Sequence, residues 1–508
     1  MQRLKRPAGL DPAVFWPSLV VVGGFVAWGT FAPDSLAAVA GVVLAFIIDG
    51  FGWSFVISTA VFLAFAIFLA TSRFGHVKLG HDDDKPEFTT VSWVCMMFSV
   101  GMGIGLMFWG VAEPISHFGA PPHGLAAAES REAALLAMQY SYFHWALHPW
   151  AIYAITGIII AYFSYRRDLP VLISSAFTPL LGDAARGPIG KAIDSLAIIA
   201  TLFGTATSLG LGAQQINSGL DFLWGTGVSN GIALTIIAVL TVAFILSAVS
   251  GVGKGIQYLS NINMVLAVVL LVFLAVVGPT TFIMNTFPEA LGDYLTNLVS
   301  MSFRTAAFSD GEWLKNWTIF YWAWWVSWAP FVGVFIARIS RGRTIREFVV
   351  CVLLVPSAVT FVWFTIMGGS ALHSELVGQG GLVEAVRDEG AAISLFALLD
   401  QYPMASLTCM LAMFLVAIFF VSGADAGSVV MGMLSERGTT EPTAPVVVIW
   451  GVLAGASAAI LLVMGGLQGL QTASIIAAAP FLLVMAGLCV SFWHALMDEL
   501  EDHGIATD

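Results

Sequence analysis

The chain has 508 residues, of which 58% are hydrophobic and only 10% charged, with a formal net charge of −12. A soluble protein of this length has too little interior to hide that much apolar surface, so a soluble enzyme or soluble binding domain is excluded. The net charge says little more, because in membrane proteins the placement of Lys and Arg matters more than their balance against acids.

A hydrocarbon-spanning helix needs about 20 apolar residues, and about twelve runs reach that length. They lie near 14–33, 51–71, 91–112, 138–164, 192–216, 230–250, 257–279, 317–338, 347–369, 402–423, 445–465 and 472–495. The first follows Arg3, Lys5 and Arg6. It is too long for a secretory signal and lacks a small-residue cleavage site, so it reads as a retained span. The third reads VSWVCMMFSVGMGIGLMFWGVAEP, with Gly101, Gly103 and Gly105 alternating at its centre. Small-residue helix packing prefers a spacing of about four. A spacing of two predicts an unwound stretch, tolerated at bilayer depth only where it lines a cavity or binds an ion. Glu113 and Pro114 read as the structural end of this span.

The fourth run contains FHWALHPWAIY. On an ideal helix Trp150 and Tyr153 share a face, and Trp145 lies about 140° from Trp150. Pro149 is expected to bend the helix and bring the three rings together. His144 and His148 have the i, i+4 spacing of a metal pair, but no third His, Cys or carboxylate is near in sequence. They read as packing or interhelical hydrogen-bonding groups, with no transition-metal site. Asp194 opens the fifth run, where an acid suits a helix N-terminus. Residues 281–303 carry Asn285, Glu289, Asp293 and Asn297 among Phe and Leu, the pattern of an amphipathic helix along the membrane interface.

Residues 317–348, WTIFYWAWWVSWAPFVGVFIARISRGRTIREF, are the most informative. Trp322, Trp324, Trp325 and Trp328 run up to Pro330, and Arg338, Arg341, Arg343 and Arg346 follow. Interfacial anchoring accounts for Trp313 and Trp317. Trp325 and Trp328 lie near the middle of the span, where anchoring is a poor reason for them. Indole faces attract cations that carry no hydrogen-bond donors. These rings, beside an expected break at Trp328-Ala329-Pro330, therefore point to a site for a methylated ammonium solute. The two interrupted spans are five apart, which predicts two five-helix repeats of opposite topology. Asp425, just after the tenth run, reads either as a functional intramembrane acid or as a helix cap. Cys95, Cys351, Cys409 and Cys489 fall in apolar segments and read as buried small hydrophobes, with no disulfide. With the N-terminus inside, about 16 of the 20 Lys and Arg residues face the cytoplasm, so both termini are expected there. The arginine cluster reads as an inner anchor, with pairing to the acidic tail as the alternative.

The stretches GMGIGLMFWGVAEP (101–114), HWALHPWAIY (144–153), GTATSLGLGAQQ (204–215) and WAWWVSWAPFVGVFIARISRGRTIREF (322–348) resemble the betaine/carnitine/choline transporter family. The likeness covers residues 14–495. It implies an all-α membrane protein with a leucine-transporter-type fold, two inverted five-helix repeats preceded by two extra helices. It also implies a homotrimer with the 281–303 helix near the subunit contacts. Trp145, Trp150, Tyr153 and Trp325 match that family's aromatic box, and Trp324 and Trp328 its cytoplasmic path. The Gly101, Met102, Gly103 and Gly105 backbone would meet the substrate carboxylate. One sodium site would comprise Ser99, Met102, Phe419, Ser422 and position 423. A second would comprise Thr201, Thr205, Tyr153 and Phe331.

Several positions depart from that pattern. Gly423 replaces the serine usual in sodium-coupled members. Gly105 stands where the proton-coupled choline branch has an aspartate, which fits a zwitterionic substrate. Residues 192–216 lack the arginine of the carnitine exchangers, which favours ion coupling, and the short acidic tail argues against the osmosensing of family members with long, basic C-terminal tails.

The expected organisation is a cytoplasmic N-terminus (1–13), two extra helices (14–90), a first repeat (91–280), an interfacial helix and loop (281–316), a second repeat (317–495) and a cytoplasmic tail (496–508). The expected function is Na+-coupled symport of glycine betaine across the cell (inner) membrane, with no cofactor and no nucleic-acid partner. The alternatives are H+ coupling, and carnitine, choline, ectoine, proline or dimethylsulfoniopropionate as substrate. A non-coupled channel or sensor is the reading from a different class. No acid–base pair, nucleophile or metal set points to an enzyme.

Overall fold

A computed structural model of the chain describes residues 9–101, 103–250 and 253–502. Arg3, Lys5 and Arg6 lie outside the described residues, as does the side chain of Lys254. Every regular element among them is helical, with a single isolated β-bridge between Lys78 and Thr344. In chain order the helices are α1 (Pro12–Phe31), α2 (Pro33–Thr71), α3 (Thr90–Gly101), α4 (Ile104–Gly119), α5 (Arg131–Trp145) and α6 (Leu147–Ala161). There follow α7 (Thr178–Leu181), α8 (Pro188–Trp224), α9 (Asn230–Ser250), α10 (Gly253–Val277), α11 (Thr280–Ser302) and α12 (Glu312–Leu314). The last six are α13 (Phe320–Ile339), α14 (Ile345–Val377), α15 (Leu382–Glu389), α16 (Ser394–Asp400), α17 (Ala405–Ser435) and α18 (Ala444–Asp502).

Local chemistry sets several of these boundaries. Asp11 accepts from the Ala13 amide at 3.2 Å, and Pro12 fills the first helical position of α1. Thr344 and Glu347 form a reciprocal capping box that starts α14. Gly225, at φ +64°, ends α8 in the left-handed conformation.

Among the described residues, nine helices are long and apolar enough to cross a membrane, or ten if the bent α10–α11 pair counts as one. Two features separate these counts from the twelve runs of the sequence. The 91–112 run is divided between α3 and α4, each too short to count alone. The last two runs are continuous in α18, whose 59 residues are interrupted at Gly466 (φ +54°, ψ −133°). A straight helix of that length would measure roughly 90 Å, about three times a hydrocarbon core. The amphipathic 280–302 segment turns 108° away from α10. It leaves Met284, Leu295 and Val299 exposed while burying Ile283, Ala290 and Tyr294.

α8 is the central element and packs against α1, α4, α9, α13, α17 and α18. The predicted break in the eighth run is absent. α13 runs unbroken through Pro330, and the irregularity lies upstream in a π-helical turn, Lys315–Ile319. Membrane helices tolerate an interior proline when neighbours satisfy the freed carbonyl. The pairing of two breaks therefore does not support the repeat.

Other sequence readings also shift. α17 continues to Ser435, so Asp425 is interior rather than a cap. α8 begins six residues before Asp194, whose buried carboxylate instead accepts from the amide and hydroxyl of Ser174 at 2.9 and 2.7 Å. All four cysteines are free, but Cys95 is exposed and Cys489 only partly buried. Among the described residues, Arg341, Arg343 and Arg346 meet α2, α3 and the loop between them rather than the tail. Arg341 bonds Asp84, Arg343 lies 4.5 Å over the Trp93 ring, and Arg346 donates to the Ala70 carbonyl. Tail residue Glu499 pairs with Arg166 and Arg167.

Candidate functional site

α3 ends at Gly101 and α4 starts at Ile104, with Gly103 fully extended (φ −173°, ψ −174°). The chain is unwound at Gly103, within the run whose spacing predicts a break, while Gly101 and Gly105 belong to α3 and α4. A second interruption lies between α5 and α6 at Ala146 (φ −102°, ψ −115°). Pro149 thus sits in the first turn of a new helix, where its missing N–H costs nothing. The break lies three residues before the proline rather than at it. Two orphaned carbonyls of α5 find partners across the site. His144 C=O accepts from the Trp325 indole at 3.0 Å, and Trp145 C=O from the Thr360 hydroxyl at 3.0 Å.

These interruptions border a cavity of about 240 Å³. Gly103, Gly105, Trp145, Trp150, Tyr153, Trp324, Trp325 and Trp328 line it. Trp145 meets Trp325 edge-on at 4.9 Å and Trp324 at 6.0 Å between ring centroids. Tyr153 lies 5.4 Å from Trp150 and 6.0 Å from Trp325, again edge-on. Trp324 and Trp325 stack at 5.3 Å. Edge-to-face packing holds each ring through its neighbours and leaves faces available. Gly105 is required here, because an added Cβ would stand 2.6 Å from Trp145 Cη2 and 3.1 Å from Trp324 Cη2.

Of the residues expected at ion sites, Thr205, Tyr153, Phe331, Phe419, Ser422 and Gly423 line the same cavity. Ser422 Oγ donates to the Ile418 carbonyl at 2.9 Å. Thr201 does not line the cavity, but its hydroxyl is buried without a partner one turn from Thr205. A Cβ on Gly423 would meet nothing within 4 Å. Met102 lies outside the described residues, and so do the side chain of Ser99 and the surroundings of Gly101. Sequence reasoning missed Ser208 and Thr360 among the lining. Ser208 continues the Thr201–Thr205 face of α8, a signal already present in the sequence. Thr360 gave none.

The largest omission is Glu113. It is interior to α4 and fully buried, with four groups within hydrogen-bond distance, of which Trp145 and Tyr321 donate to it. His144 Nδ1 and His117 Nε2 lie 2.7 and 3.2 Å from Oε1; Trp145 Nε1 and Tyr321 OH lie 2.7 and 2.5 Å from Oε2. Its spacing of four from His117, inside an apolar run, was the available clue. His148 instead pairs with Ser302 at 2.9 Å, so the two histidines of α5 and α6 do not act together. Folding thus supplies His144 with the third ligand type that the local sequence lacks. Ligand atoms of Glu113, His117 and His144 lie within 4.8 Å of one another, although each is already engaged in hydrogen bonds.

An aromatic, uncharged cavity between interrupted helices of a membrane protein suits a soft cation. Residues 13–501 match the sequence profile described as BCCT, the betaine/carnitine/choline family transporter. The chain belongs to this family. Among its relatives, the glycine betaine transporter OpuD of Bacillus subtilis is 48% identical over 490 residues, covering 96% of this chain and 94% of its own. A probable glycine betaine transporter of Desulfitobacterium hafniense is 46% identical, with 94% and 95% covered. An ectoine/hydroxyectoine transporter of Virgibacillus pantothenticus is 41% identical, with 96% and 97% covered. As a member of the betaine/carnitine/choline family the chain is a multi-pass membrane transporter of the betaine type, and not an enzyme.

Proposed function

We propose that the chain is a Na+-coupled symporter that carries glycine betaine into the cell by alternating access. The observation that carries this reading is the cavity itself. Its walls are the rings of Trp145, Trp150, Tyr153, Trp324 and Trp325, and no described lining residue is charged. Such walls hold a trimethylammonium group through its positive methyl surface. The free amides at the start of α4 suit the substrate carboxylate. Phe419, Ser422 and Thr205 border the same space. Phe419 and Ser422 belong to the first expected sodium site and Thr205 to the second, and an ion held by oxygens at the first would order the stretch between α3 and α4 and prepare the substrate site. The excess of Lys and Arg on one side supports cytoplasmic termini in a cell-membrane protein. The exposed apolar face of α11 suits a contact between three copies, and two five-helix halves (91–280 and 317–495) suit the rocking motion.

The test is uptake of labelled glycine betaine into proteoliposomes under an inward sodium gradient. Accumulation above the outside concentration only with that gradient is the expected result. Accumulation driven by a proton gradient instead would overturn sodium coupling and point to Gly423, which lacks the hydroxyl of its sodium-coupled counterparts. Ectoine is the second substrate reading, favoured by the name of the 41%-identical relative. Competition with unlabelled ectoine ranks the two.

A further inference from the structure

Glu113 is fully buried and is not among the residues that line the cavity. One of its oxygens nevertheless receives the Trp145 indole N–H at 2.7 Å, within the range of a charge-assisted bond. Trp145 spans the distance between the two. Its pyrrole edge is on Glu113, and its six-membered ring reaches the cavity wall at Gly105. The second donor to the same oxygen, Tyr321, stacks on Trp325 at 6.4 Å and on His144 at 4.7 Å. Two rings of the box thus lead back to one carboxylate, through α4, α5 and α13.

An indole can only donate, so Oε2 accepts from Trp145, and the Tyr321 hydroxyl donates to the same oxygen, the acceptor role that an ionised carboxylate supplies. Hydrogen bonding to a carboxylate moves electron density into the indole ring and makes its face more negative. Cation–π attraction depends on that face. The buried charge also adds a direct attraction for a cation in a water-poor site.

We propose that Glu113 is a specificity-determining positioning residue. Through the Trp145 N–H it makes the box prefer a cationic head group over a neutral one of the same shape. This rests on the trimethylammonium reading of the cavity.

The experiment compares two ligands on purified protein. Glycine betaine carries a trimethylammonium group; 3,3-dimethylbutanoate carries a neutral tert-butyl group of nearly the same shape and keeps the carboxylate. In the wild type, glycine betaine should bind more tightly. Glu113→Gln keeps the side-chain volume but removes the charge, and its amide is expected to weaken glycine betaine about five- to tenfold while moving the isostere less than about twofold. Equal weakening of both ligands would show a merely structural role and overturn the proposal, as would no change in either. If the wild type itself does not prefer the cation, the aromatic-cation reading fails and this inference falls with it. Should Glu113→Gln prove unstable, Glu113→Asp keeps the charge but withdraws it by one methylene. It must then show the same selective loss in smaller measure, and an unselective loss overturns the idea.

Discussion

Trp325 does two things at once. Its face borders the cavity, and its N–H satisfies the orphaned His144 carbonyl where α5 stops. Trp325→Leu removes one aromatic ring from the cavity wall and, on the proposed function, should weaken glycine betaine binding by about 1–2 kcal/mol. Equilibrium titration of the purified variant checks this, and an unchanged affinity would count against the box. Gly105 presents the opposite case, a site of close approach. Gly105→Ala places a methyl group 2.6 Å from Trp145 Cη2, so the ring must turn. Overpacking of this kind costs about 1–3 kcal/mol, and the variant should lose affinity while remaining folded, measured by binding alongside thermal unfolding.

At the scale of elements, interruptions make the site and caps fix where helices begin. The Thr344–Glu347 box starts α14, which brings Thr360 to the Trp145 carbonyl. Thr344→Ala should lower stability by about 1 kcal/mol, seen as a reduced unfolding midpoint in detergent, with substrate affinity little changed. The break at Gly101–Gly103 was legible because alternating glycines have a direct backbone consequence. The one near Trp145 was legible only in part: Pro149 marks a bend, but a proline fits the first turn of a helix, so the chain breaks before it at Ala146. Pro330 misled for the same kind of reason. It lacks a donor in either setting, and only the surrounding helices decide whether α13 tolerates that loss. The aromatic box was readable from residue type. Its support was not, because Glu113, Trp145 and Tyr321 are far apart in the chain and meet only through tertiary packing.

Across the whole molecule, the α2–α3 loop is tied to distant segments. Asp84 meets Arg341 at 3.1 Å, Asp82 meets Arg166 at 2.9 Å, and Arg166 reaches on to Glu499 near the end of α18. Slight burial pushes the Asp84 carboxyl upward, but the Arg341 hydrogen bond and charge outweigh it and hold the group below the usual carboxylate range. A depressed folded value means the contribution is complete above the ordinary pKa of about 3.9 and is lost as pH falls through the lowered one. Asp84→Asn should therefore melt below the wild type at neutral pH. The gap should close in acid and shrink in high salt, since Arg341 is exposed and Asp84 only partly buried. Thermal scans across pH and ionic strength test both. The uncharged cavity wall has an electrical consequence. With no fixed charge from the described lining, the net charge crossing the membrane is that of the cargo. On the proposed function the cargo is a zwitterion and contributes none, so each coupled cation would appear as one elementary charge of current per turnover. Every 100 mV of membrane voltage then adds about 2.3 kcal/mol of driving force per cation, and the ratio of current to solute flux counts the ions directly.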